Sequence, residues 1–81
     1  MEKRIGAILI VVKEKENIQR LNEILSVHAD IIIGRQGIPV RNRGLSIISI
    51  VVEGTNEEFS ALTGKLGRLK GITARSVLAK D

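Results

Sequence analysis

Two stretches of this chain, Arg4 to Val12 and Leu45 to Glu53, are nearly unbroken runs of aliphatic residues rich in isoleucine and valine. Successive side chains of a strand point to opposite faces, so a continuous run is apolar on both sides and suits a strand that is covered twice. In the first run Ile8, Ile10 and Val12 share one side, with Ala7, Leu9 and Val11 on the other. In the second, Ile48, Ile50 and Val52 oppose Leu45, Ile47 and Val51.

Between and after these runs the period changes. From Glu14 onward Ile18, Leu21, Leu25 and His28 recur at spacings of three and four, with Ile24 widening the stripe, which predicts an amphipathic helix. Ile31 to Ile33 restart a β-branched segment. Gly34, Gly37 and Pro39 then predict a long basic loop leading through Arg41-Asn42-Arg43-Gly44 into the second aliphatic run, so that these two strands form an antiparallel hairpin. Thr55-Asn56-Glu57-Glu58 has the spacing of a capping box and opens a second helix, whose apolar face is Phe59, Leu62, Leu66 and Leu69. Gly64 and Gly67 each weaken that helix by roughly 1 kcal/mol relative to alanine, and either one is a candidate for its end. Ile72 to Ala79 alternates apolar with small or polar residues, as an edge strand does.

The order is βαββαβ: an α+β, ferredoxin-like domain with a four-stranded antiparallel sheet and, through right-handed crossovers, two helices on one face. The 81 residues make a single domain, 1–81, with no linker or repeat. Two helices cover one sheet face only. The other is aliphatic as well, so a second copy of the chain is the expected cover, giving a dimer or tetramer. The interface set is either Ile8, Ile10, Val12, Ile48, Ile50 and Val52 or the opposite set Leu9, Val11, Ile47 and Val51. A domain this small buries only about 60% of its unfolded surface, so association also adds stability.

The chemistry-bearing residues are few. There is no cysteine and one histidine, so disulfides, thiolate metal sites and cysteine nucleophiles are excluded, and no metal or other cofactor is expected. No nucleophile has a recognisable setting beside His28, and the chain reads as a protein that is not an enzyme. The apolar run near the amino terminus is too short to span a bilayer and carries no small-residue cleavage site, which points to a cytoplasmic protein with no membrane partner. The net charge of +4 is spread among acids, as in Lys13-Glu14-Lys15-Glu16, and permits nucleic-acid binding without indicating it. Base stacking of the RNA-recognition kind is excluded because the one aromatic residue, Phe59, belongs to a helix face. Two G-x-x-G strings, at Gly34 and Gly64, lack the helix-to-helix context of a nucleic-acid clamp and read as turn and cap glycines. The candidate ligand site is the basic segment carrying Arg35, Gln36, Gly37, Arg41 and Arg43, because guanidinium forks beside glycine amides suit a carboxylate, a phosphate or an acidic partner surface. A DNA-binding alternative draws on Lys3, Arg4, Arg35, Arg41 and Arg43 aligned in an oligomer.

Three segments together resemble the iron-only hydrogenase system regulators of anaerobic bacteria. These are Ile31-Ile32-Ile33-Gly34-Arg35 with Gly37 and Pro39, Ile47-Ile48-Ser49 with Val51-Val52 and Gly54, and Ala61 through Leu69 ahead of Gly71. The resemblance implies an ACT-like, ferredoxin-type fold similar to the regulatory domain of the nickel-responsive repressor, assembled through its sheets. It also implies a transcription regulator or other regulatory domain that takes a ligand or a protein partner in hydrogenase regulation or maturation. The chain departs from that pattern at Lys70, where family members commonly have proline. It lacks the histidines and cysteine for nickel, and its turn Lys13 to Asn17 has no glycine where ACT domains often hold an amino acid.

Overall fold

A computed structural model describes residues 2–80. The elements run β1 (Arg4–Val12), α1 (Ile18–Val27), β2 (Ile32–Val40), β3 (Leu45–Gly54), α2 (Asn56–Gly67) and β4 (Ile72–Leu78), with one-turn 3₁₀ segments at Lys15–Asn17, Ala29–Ile31 and Arg41–Arg43. The strands form one antiparallel sheet in the order β2-β3-β1-β4, the ferredoxin-like arrangement. The two aliphatic runs are the central strands, and β4 is at an edge as its mixed composition predicts.

The even-numbered residues of β1 and β3 face the helices. Ile8, Ile10, Val12, Ile48, Ile50 and Val52 pack with Leu21 and Leu25 of α1, Phe59, Leu62 and Leu66 of α2, and Ile31 and Ile72. Among the described residues no polar or charged residue is fully buried, although the Oγ1 of the half-buried Thr63 in α2 is shielded from solvent without a hydrogen-bond partner. The predicted capping box is present: Glu58 N donates to Thr55 Oγ1 at 3.2 Å, and Thr55 N donates to Glu58 Oε1 at 2.8 Å. Of the two candidate ends, Gly67 closes α2 and Gly64 lies inside it. Leu69 follows the helix and is half-buried against the core.

One expectation is corrected. The segment Gly34 to Val40 is strand, paired with β3 from Gly34↔Val51 to Val40↔Leu45, and the connecting loop shrinks to the 3₁₀ turn Arg41–Arg43 and Gly44. The breakers are tolerated because β2 is an edge strand: its outer side has no ladder to lose, so proline and glycine cost little there. A register shift between Ile32 and Gly34 absorbs Ile33, which is left exposed. Gly44 closes the turn at φ +65°, a conformation that favours glycine.

Candidate functional site

The register of β1 against its neighbours places the odd-numbered residues on the face away from the helices. Across that face Val77, Ala7, Val51 and Gly34 form one row, Arg75, Leu9, Ser49 and Gln36 the next, and Thr73, Val11, Ile47 and Ile38 a third. The first and third rows are aliphatic apart from Gly34 and Thr73, and in the middle one Arg75, Ser49 and Gln36 are polar. Leu9 is 48% exposed, Val51 39% and Ile38 47%, while Val11 and Ile47 are shielded only by their sheet neighbours. Of the two alternative sets read from sequence, Ile8, Ile10, Val12, Ile48, Ile50 and Val52 are core under the chain's own helices. Leu9, Val11, Ile47 and Val51 are the open ones.

The surface area points the same way. A folded monomer of 8.9 kDa exposes about 4,800 Å² on the size scaling of globular proteins. This chain exposes 5583 Å². The excess, about 800 Å², equals one partner's share of a standard protein interface. The cause is shape: a single helical layer on a sheet leaves a body of 40 × 21 × 16 Å with one flat side bare.

The residues singled out as a ligand site do not converge. Neighbours in a strand alternate faces, so Arg35 turns to the helix side, where its Nη2 donates to Asn22 Oδ1 of α1 at 3.1 Å, while Gln36 lies in the open-face rows. Gly37 shares the helix side with Ile48, and its surroundings are empty to 4 Å. Arg41 and Arg43 belong to the 3₁₀ turn at the tip. There Arg41 lines a cleft of 360 Å³ with Lys13 and Lys15, above Val12, Pro39 and Leu45, with no acidic residue in the lining. In the sequence Lys13 and Lys15 belong to a mixed-charge turn, and nothing local pairs them with Arg41. Arg4 pairs with Gly54 at the opposite end of the sheet, roughly 30 Å from the hairpin tip at the usual strand rise. A continuous basic stripe through Lys3, Arg4, Arg41 and Arg43 is therefore absent from one copy. The turn before β4, which carries Lys70 and Gly71, is tied down by hydrogen bonds: Asn17 Nδ2 donates to Lys70 O at 3.1 Å and Lys13 N to Gly71 O at 2.7 Å. Among the described residues no group of three or more histidine, cysteine or acidic side chains could hold a metal ion, and no helix is long and apolar enough to cross a membrane.

An antiparallel β2-β3-β1-β4 sheet, helices on one side and aliphatic side chains bare on the other, defines a small ferredoxin-like domain with one open sheet face. The chain belongs to the TM1266-like family, described as "Iron-only hydrogenase system regulator, putative", whose model matches residues 4–76. Its fold superposes on the structure of the uncharacterized protein TM1266 from Thermotoga maritima with a TM-score of 0.92 and 35% identity, covering 98% of this chain and 100% of that one. The crystal structure of an unknown protein from Galdieria sulphuraria matches with a TM-score of 0.65 over 99% of this chain and 47% of that one, and at 12% identity the likeness shows the fold alone. No curated protein matches.

Proposed function

We propose that the chain is a self-associating, non-catalytic regulatory domain of the iron-only hydrogenase system, cytoplasmic and ACT-like in organisation. It pairs through the open face of its sheet and acts by binding a ligand or a second protein. The observation that carries this reading is the aliphatic face bearing Leu9, Val11, Ile47 and Val51, with about 800 Å² of accessible area beyond a monomer's expectation. Burying such a face against its own copy removes apolar side chains from water on both sides at once and needs no second gene product. The cleft of Lys13, Lys15 and Arg41 sits at the end of the same sheet and is the candidate place for an acidic ligand. The family description supports the regulatory role and the hydrogenase system.

The test is native mass spectrometry of the protein purified without oxygen from its own host. A dimer or tetramer carrying a discrete added mass supports both assembly and a ligand, and a bare oligomer moves the signal to a protein partner. A monomer across the micromolar range refutes the reading of the sheet face. Nucleic-acid binding is the second reading, and it requires the oligomer to join cations that one copy holds at opposite ends. Its support would be DNA affinity that favours one sequence and falls steeply with salt.

A further inference from the structure

On the side of the molecule away from the open sheet, α1 and α2 leave a cleft of 510 Å³, within the usual range of small-ligand sites. We propose that this cleft binds a small phosphate ester, with the phosphate held by Arg20, His28, Lys65 and Arg68 and its organic part resting on Ile24, Val27 and Leu69. The four basic groups come from different parts of the chain: Arg20 from the first turn of α1, His28 from its C-cap, Lys65 from the last turn of α2 and Arg68 from the residue that caps it.

Lys65 Nζ lies 3.2 Å from His28 Nε2. An ammonium has only donors, so in this contact the lysine donates and Nε2 is the acceptor. One contact to the imidazole leaves the ammonium two further N–H donors for an anion. Glu23 is the one acid of the lining, against Arg20, Lys65 and Arg68, so the cleft is net positive even with His28 neutral. Helix C-termini attract cations, which accounts for a basic residue at each helix end. That effect does not account for Arg20, at the opposite end of α1, facing the same hollow. Phosphate suits the arrangement better than carboxylate, because its higher charge and additional oxygens can engage several donors at once. The apolar part is equally defined: Val27 is 73% exposed at the rim, while Ile24 and Leu69 are half-buried against the core. This inference goes beyond the sheet-face reading and uses the other side of the fold, so either can fail alone.

The experiment is a ¹H–¹⁵N titration of the full chain with inorganic phosphate and with adenosine 5′-monophosphate as a probe carrying an apolar ring. Saturable shifts are expected at His28, Lys65 and Arg68, at lower concentration for the nucleotide than for phosphate. His28 Nε2 should change from acceptor to donor in the side-chain ¹⁵N spectrum as phosphate displaces Lys65, a signature that a merely structural Lys65–His28 contact does not produce. The double variant Lys65→Gln, Arg68→Gln, with both positions exposed, should bind at least about tenfold more weakly, a loss of roughly 1.4 kcal/mol. Lys80→Gln, at an exposed residue that lines neither basic cleft, should bind as the parent does. Absence of saturable shifts up to about 10 mM, a range that includes even millimolar affinity, overturns the proposal. Shifts centred on Lys13, Lys15 and Arg41 also overturn it.

Discussion

Leu9→Lys separates folding from assembly. Leu9 stands in the middle row of the open face, beside Ser49 on β3 and Arg75 on β4, and is 48% exposed in one copy. Burying a leucine completely is worth about 1.5–3 kcal/mol, so covering the exposed half contributes about 1 kcal/mol per copy and about 2 kcal/mol for a two-fold pair. The substitution removes that gain and buries two ammonium groups, at several kcal/mol each when unpaired. Arg75 is the neighbouring charge and has the same sign. Together these exceed about 4 kcal/mol, which weakens association by roughly three orders of magnitude. Within one copy the change touches no core residue and leaves the helices in place. Sedimentation velocity over a concentration series should show the parent as an oligomer and the variant as a monomer, with the variant's far-ultraviolet circular dichroism unchanged. A variant that assembles like the parent refutes the assignment of this face, whatever the oligomer size. A variant that unfolds instead shows that the monomer cannot stand without its partner, and the milder Leu9→Ala then reports the interface through its shifted dissociation constant.

Three further substitutions test the fold. Thr55→Ala removes the hydroxyl that caps α2 and should cost about 1 kcal/mol, lowering the melting temperature by roughly 4–8 °C in a domain of this size. Gly64→Ala should do the reverse, gaining up to about 1 kcal/mol in helix propensity, because the added methyl meets nothing within 4 Å. Thermal melts at matched protein concentration check both. Phe59→Ala empties a fully packed site between α2 and β1, where the ring approaches Gly6. It should cost about 3–5 kcal/mol, a large part of the 5–15 kcal/mol that is typical of domains. Urea titration should show the midpoint falling with little change in slope.

The order of elements was legible in the sequence because each carries its own local signal. The aliphatic runs mark β1 and β3, the spacing of Leu21 and Leu25 marks α1, and Thr55 with Glu58 marks the start of α2. The apolar character of the second sheet face was legible too, because both phases of the alternation are apolar in the two central strands. That same degeneracy hid which phase is open. When odd and even positions are equally aliphatic, the pattern cannot choose a face, and only the packing of α1 and α2 assigns Ile8, Ile10 and Val12 to the core and Leu9 and Val11 to the outside. Gly34, Gly37 and Pro39 were misleading for a related reason: they break a strand that must pair on both sides, whereas β2 pairs on one. The basic residues show the limit most plainly. Arg35 and Gln36 are adjacent in the chain and lie on opposite faces, while His28 and Lys65 are 37 positions apart and touch. Local periodicity is a property of the chain, and it determined the secondary structure. Which side chains share a surface depends on how the elements cross, which is set by the packing of the whole core and belongs to the tertiary structure alone.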